Sequence, residues 1–263
     1  MDFLAAVTPL SVLSGFIVGL LVGLTGVGGG SLMTPLLILV FGTEATTAVG
    51  TDLLYAAATK SVGTVAHGLG RTVDWPIVAR LAAGSMPGTV LTIAALHLSG
   101  IRENSSPRLI TITLGVALLL SAAAVLGRQW IRRRLTHRRR VAVTPRTVLL
   151  TVATGFILGV LVTISSVGAA ALGMTALVCL YPSVPLARLV GSDIAHAVPL
   201  TLVAGLGHWL LGSVDWALMI ALLLGSVPGI ILGSNLSSRL PERVLRPILA
   251  AILMIVGLRM LRG

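Results

Sequence analysis

A block of about a hundred apolar residues is written twice in this chain, and that doubling limits the fold more than any other feature. The segment GFIVGLLVGLTGVGGGSLM, Gly15 to Met33, returns as GFILGVLVTISSVGAAALG, Gly155 to Gly173. Downstream, Gly50-Thr51-Asp52 is answered by Gly191-Ser192-Asp193, His67 by His208, and Asp74-Trp75 by Asp215-Trp216. Gly84-Ser85-Met86-Pro87-Gly88 is answered by Gly225-Ser226-Val227-Pro228-Gly229. A tandem repeat of this length builds one scaffold twice and puts the natural place for a site between the copies.

The repeated material is apolar enough to require a membrane. Hydrophobic residues make up 56% of the chain and charged ones 10%, against roughly 25% charged in soluble domains. Ile110 to Leu126 and Trp216 to Leu232 approach the roughly 20 apolar residues that cross a hydrocarbon core. Strand-type alternation is missing, so helices rather than a closed barrel must satisfy the backbone. The expected fold is all-α: a polytopic helical membrane protein with two tandem repeats and 8–10 hydrophobic segments, short broken or re-entrant helices among them. The expected division is a first membrane repeat over 1–127, a basic cytoplasmic linker over 128–146 and a second repeat over 147–263. Met1-Asp2-Phe3 lacks the positive n-region of a cleavable signal, so the first helix is expected to stay. Cys179, the sole cysteine, lies in an apolar run and is expected to be a small core residue.

The net charge of +11 is local rather than a nucleic-acid signature. Eight of the nineteen basic residues fall between Arg128 and Arg146, a segment with no acid. The positive-inside rule places such a loop in the cytoplasm, in contact with anionic lipid. Nucleic acid is not an expected partner, because interleaved aromatics and a basic soluble fold are both missing.

Each half reads as five hydrophobic segments: residues 8–24, 31–42, 46–67, 75–98 and 107–127, then 147–164, 170–181, 185–211, 215–236 and 243–261. The second of each set is short, about 18 Å at a helical rise, which suggests a hairpin broken inside the membrane. If the hairpin counts as two segments the halves are inverted; if it counts as one crossing they are parallel. The placement of Arg71, Arg239, Arg243 and Arg246 favours inversion, and Arg259 and Arg262 oppose it.

Four glycines in the five positions Gly26 to Gly30 follow Thr25 and precede Ser31, which opens a short helix. Glycine lets the backbone turn and a ligand approach, and the free N–H groups of the following helix favour an anion. The second copy offers Ser165, Ser166 and Gly168 at the matching place. Thr25, Gly28, Gly29, Gly30, Ser31, Thr51, Ser165, Ser166, Gly168 and Ser192 are therefore candidate substrate contacts. The competing explanation is that small residues merely allow helices to pack closely.

Asp52 and Asp193 are matched acids inside apolar helices, where a charge is costly and by default functional. They are candidates for proton coupling or cation coordination, or else structural clasps that repeat because the fold repeats. Lys60, the only lysine, has Thr201 as its counterpart; it is a candidate cation for the substrate, against snorkelling or an interhelical ion pair. His196 shares a helix face with Asp193 and joins the proton-coupling candidates. His67 and His208 are expected at the membrane interface. Asp74-Trp75-Pro76 and Asp215-Trp216 read as helix caps with interface anchors. Pro87 and Pro228 are expected to kink or break their helices and to supply flexible points.

These residues resemble the TauE/SafE family of membrane transporters. The likeness is carried by GFIVGLLVGLTGVGGGSLMTPLL, by AVGTDLLYAAATKSVGTVAHG and by GSMPGTVL, and it spans nearly the whole chain. It implies export of a small sulfur oxyanion such as sulfite or sulfoacetate across the bacterial inner membrane, with import of organosulfonates as the variant proposed for some relatives. The expectation is a multi-pass secondary transporter for a small anionic substrate, coupled to protons through Asp52, Asp193 or His196. It needs no cofactor, is not an enzyme, touches membrane lipids and is compatible with a homodimer. HExxH, GxSxG and nucleotide-binding motifs are lacking. A cation or metal transporter using Asp52 and Asp193 is the alternative.

Overall fold

The computed structural model describes residues 8–25, 30–69, 72–98, 107–135, 143–168, 171–237 and 242–262. They form ten helices and no strand: α1 Pro9–Thr25, α2 Gly30–Leu39, α3 Ala45–Leu69, α4 Trp75–Leu98, α5 Pro107–Leu135, α6 Pro145–Ser165, α7 Ala171–Leu180, α8 Leu186–Leu210, α9 Trp216–Ser237 and α10 Glu242–Arg262. Five stretches, Trp75–Leu98, Ile110–Arg128, Pro145–Ser165, Leu186–Leu210 and Trp216–Gly233, are long and apolar enough to cross a membrane. The protein is membrane-embedded. The short second helices are real, since α2 and α7 have 10 residues each, about 15 Å of rise.

The usual soluble pattern is turned over. Leu13, Ile17, Leu91, Leu120, Leu149, Ile157, Leu224 and Ile231 point outward, while Ser11, Thr34, Ser85, Thr89, Ser121, Thr163 and Ser226 are buried. Lipid is as apolar as leucine, so helices associate in it through close backbone approach and internal hydrogen bonds.

Glycine makes that approach. A Cβ on Gly15 would lie 2.1 Å from Leu222 O, and one on Gly225 1.9 Å from Val12 O, which sets α1 flush against α9. Gly84 and Gly155 do the same for α4 and α6, at 1.9 Å from Val152 O and 2.2 Å from Leu81 O. Along both seams residue numbers rise together, so each pair runs parallel. The third helices of the two halves, α3 and α8, instead run antiparallel: Gly50 abuts His208, Leu54 abuts Gly205, and Gly191 abuts Thr72. Antiparallel corresponding helices are what an inverted arrangement of the halves requires and a parallel one forbids. α5 packs on α10. Exchanging one half for the other maps each of these pairings onto itself or onto its mate.

Several expectations need correction. Neither Pro87 nor Pro228 breaks its helix: α4 and α9 are continuous through them, and the close backbone contacts of the glycines on either side hold each helix against its neighbour. α5 continues to Leu135, well into the basic segment, because residues 128–135 hold helix-forming Arg and Leu and neither Gly nor Pro. The chain restarts at α6 behind Thr144, whose hydroxyl accepts from Thr147 N at 3.3 Å. Cys179 faces outward rather than into the core. His208, in the last turn of α8, is packed inside the protein rather than exposed, and its Nε2–H donates to Thr163 O at 2.9 Å. The side chain of His67 lies outside the described residues.

Trp75 and Trp216 are exposed, and Trp216 meets Trp209 edge to face with centroids 5.8 Å apart. Asp215 caps α9, its Oδ1 accepting from Leu218 N at 3.0 Å. Asp74 spends its carboxylate on Arg188 at 3.2 Å.

Candidate functional site

The centre of the fold is the antiparallel pair α3 and α8. Thr51 to Ala57 on α3 are all buried, as are Gly191 to Asp193 on α8. An α-helix hidden on every side within a membrane protein has no lipid to face, so its polar side chains must meet partners from other helices.

Those partners come from the opposite half, and they come in mirrored sets. Thr51 Oγ1 accepts from Asp215 N at 2.9 Å, and Ser192 Oγ accepts from Asp74 N at 2.8 Å. Each latch ties the middle of one half to the start of the fourth helix of the other. Ser192 Oγ also donates to Arg188 O at 2.7 Å. One helical turn on, Tyr55 hydrogen-bonds Ser226, and His196 Nε2 bonds Ser85 Oγ at 2.9 Å in the equivalent place. Ser85 and Ser226 belong to the repeated Gly-Ser-x-Pro-Gly segments, in which the sequence alone assigns a role only to the prolines.

The two acids break the mirror. Asp52 Oδ2 accepts from Thr34 N at 3.2 Å, from the Thr34 hydroxyl and from Ser166 Oγ at 2.9 Å. It thereby fastens α2 of its own half to the α6–α7 break of the other. In the second half the position of Thr34 is taken by Thr175, whose hydroxyl donates to Ala171 O at 2.8 Å rather than to Asp193, and that of Ser166 by Gly26 in the first half. Asp193 Oδ1 is buried without a hydrogen-bond partner and would lie 2.6 Å from a Cβ on Gly173 of α7. Asp52 Oδ1 is also unpartnered. The charges of Lys60 on α3 and of the half-buried Arg128 on α5 act on Asp193 from a distance; among the described residues Lys60 makes no ion pair with it. Lys60 is itself buried and acts on Asp52 and His196 as well.

The break between α6 and α7 is built by two residues in the left-handed region. Ser166 has φ 56° and its N–H donates to Val162 O at 2.7 Å; Gly168 has φ 111°. Serine rarely adopts this conformation, and here its bond to Asp52 holds it there. Ser165 Oγ folds back onto Leu161 O at 2.7 Å. Gly168 O receives the N–H groups of Leu172 and Gly173, the first described turn of α7. In the first half, Gly30 and Ser31 open α2, while Gly28 and Gly29 lie outside the described residues, as do the side chains of Thr25 and Ser31.

The structure therefore joins Asp52 to Ser166 at the α6–α7 break, sets Asp193 against Gly173 of α7 with His196 one turn further along α8, and buries Lys60 on α3. Thr51 and Ser192 are committed to the latches beside these residues. Thr34, Tyr55, Ser85, Ser226 and Gly173 belong to the same surroundings and went unnoticed in the sequence. Only the matched spacing of Tyr55 with His196, and of Ser85 with Ser226, could have marked them. Among the described residues no group of three or more His, Cys, Asp or Glu is placed to hold a metal ion.

The family model "Sulfite exporter TauE/SafE" matches residues 11–260. The chain is similar to the probable membrane transporter protein YjnA of Bacillus subtilis (strain 168), with 39% identity over 251 residues, covering 95% of this chain and 98% of that protein. It is also similar to the probable membrane transporter protein YdhB of the same organism, at 27% identity over 84% of this chain and 86% of that protein. No solved structure matches it. A helical chain with buried charges between two interlocked halves, matched over almost its whole length, belongs to the sulfite exporter TauE/SafE family of membrane transporters.

Proposed function

We propose that the protein is a secondary transporter of the bacterial inner membrane that exports a small sulfur oxyanion, sulfite or a short organosulfonate such as sulfoacetate, with proton coupling. Family membership supports the class of cargo. The observation that carries the reading is a buried lysine on the central helix α3: Lys60 is a cation held away from water inside a membrane protein, where a charge is costly and by default functional. A small oxyanion lodged between the α1–α2 and α6–α7 breaks would take Lys60 as its counter-charge and the N–H and hydroxyl groups of Gly28 to Ser31 and the Gly168 N–H as its donors, with Ser166, whose own donors go to Val162 O and Asp52, shaping the second break. Thr51 and Ser192 contribute indirectly, by fixing α3 and α8.

The antiparallel relation of α3 and α8 supports an alternating-access cycle in which one arrangement exposes the anion to each side in turn. The test is flux in proteoliposomes. Sulfite or sulfoacetate counterflow that disappears in Lys60→Gln is expected. A purified, folded protein that moves none of sulfite, sulfoacetate, taurine or thiosulfate, and is stabilised thermally by none of them, would sink the reading.

A further inference from the structure

Asp52 stands at the negative end of a helix. Its Oδ2 accepts from Ser166 Oγ at 2.9 Å, and Ser166 is the C-cap of α6. The last carbonyls of an α-helix point past its end and together carry roughly half a negative charge. At this end Val162 O accepts from Ser166 N at 2.7 Å and Thr163 O from His208 Nε2 at 2.9 Å. Among the described residues no backbone N–H beyond the helix reaches Ile164 O or Ser165 O. The acid is fully buried; three donors from Thr34 and Ser166 fix its Oδ2, and its Oδ1 has no hydrogen-bond partner. Lys60 lies eight residues along the same helix, about 12 Å of rise, and among the described residues no ion pair closes on Asp52. A buried carboxylate, a helix C-terminus and unspent carbonyls thus converge without a basic side chain bonded to them, in an interior where uncompensated negative charge is costly.

We propose that Asp52 Oδ1 and the unspent carbonyls at the end of α6 bind a sodium ion, with Ser166 Oγ as a further oxygen ligand. The donor set is oxygen throughout, which suits a hard cation and not a transition metal. It holds one carboxylate, and among the described residues no cluster of His, Cys, Asp or Glu adds to it, so a single positive charge is matched and a divalent ion is not. Ser166 spends its hydroxyl proton on Asp52 Oδ2 and keeps lone pairs to offer. The C-terminal end of a broken membrane helix is the part of such a helix that accepts a cation, as its N-terminal end accepts an anion. Since Asp52 also joins α2 of one half to the α6–α7 break of the other, an ion there bears on the contact between the halves. The site does not depend on which anion is carried.

Thermal unfolding of the purified full chain is followed in sodium, potassium and choline chloride at one fixed ionic strength, with the sodium share varied. A saturable rise of the midpoint with sodium alone is expected in the wild type, because a ligand of the native state stabilises it by mass action. Asp52→Asn is expected to abolish the sodium response, and Asp193→Asn to keep it. Should Asp52→Asn fail to fold, Ser166→Gly replaces it: glycine accepts the left-handed backbone at φ 56° while removing the hydroxyl, and the sodium concentration for half the response should rise roughly tenfold. Equal midpoints in the three salts overturn the site. So does a sodium response that survives in Asp52→Asn, one that Ser166→Gly leaves unchanged, or one lost in Asp193→Asn alone. Flux of sulfite or sulfoacetate is read separately, so loss of the sodium site leaves the anion reading standing, and loss of that reading leaves the site standing.

Discussion

Gly84→Ala is a severe test of the packing described above, because the added methyl meets only main chain. Its Cβ would lie 1.9 Å from Val152 O, 2.7 Å from Phe156 N and 2.9 Å from Val152 C. None of these atoms can rotate away. Ordinary carbon contacts begin at about 3.4 Å, so α4 and α6 must part by about 1.5 Å at this point. Gly88, Gly155 and Gly159 line the same seam and would be drawn off their contacts too. A gap of 0.5 to 1 Å already forfeits roughly a quarter to a half of each dispersion contact, and overpacking commonly costs about 1–3 kcal/mol. We expect a loss of about 3 kcal/mol, read by SDS-induced unfolding followed through tryptophan fluorescence. Gly225→Ala has the same 1.9 Å approach, to Val12 O on α1, and should cost the same within about 1 kcal/mol. At Gly115 the nearest atom is Leu261 Cγ at 2.9 Å, a side chain that can turn aside, and the main-chain contact, Gly257 O, stands at 3.0 Å rather than 1.9 Å, so Gly115→Ala should cost less than Gly84→Ala. A Gly84→Ala protein within about 0.5 kcal/mol of wild type, or one less damaged than Gly115→Ala, would refute the claim that these seams are backbone against backbone.

Two further outcomes are expected. Ser192→Ala removes the acceptor for Asp74 N and should cost about 1–2 kcal/mol by the same unfolding assay, whereas Ser192→Thr, the residue found at position 51, should stay within about 0.5 kcal/mol. At the start of α3, burial raises the Glu44 pKa, but bonds from Thr46 and Thr47 outweigh it and hold the carboxyl below the ordinary glutamate range. A depressed carboxyl contributes stability that is complete above its unfolded pKa and lost as pH falls through the folded one. Thermal denaturation of wild type should therefore lose its advantage over Glu44→Gln only below the ordinary glutamate range; an advantage that persists there, or appears only at alkaline pH, would contradict this.

The sequence carried a good deal of this architecture because the repeat compares the chain with itself. Two short helices behind small residues, a cap at Asp215 and anchors at Trp75 and Trp216 all follow from local chemistry, and local chemistry is what a sequence displays. Thr51 and Ser192 were less legible. A hydroxyl beside an intramembrane acid reads equally well as a ligand contact or as a latch, and the choice depends on which helix of the other half lies across from it. Thr34 and Ser166 meet at Asp52 from positions far apart in the chain, so nothing local announces that they are one acid's partners. Loop charge gave a divided vote on whether the halves are inverted. The closeness of Gly50 to His208 and of Gly191 to Thr72 decides it, and only three dimensions display that.

The interlocked seams have a consequence for how the chain is made. α1 leaves the ribosome first, yet the surface that fits its glycines is α9, and α4 likewise waits for α6. The repeat is therefore a unit of inheritance but not of assembly: neither half can complete its packing while the other is missing. Newly inserted, the first five helices hold unmatched small-residue faces and an unlatched Thr51 in the bilayer until the second five arrive. A chain cut within the 136–142 connection leaves two pieces, each owning one side of both parallel seams, and such pieces can reach the native state only in each other's company.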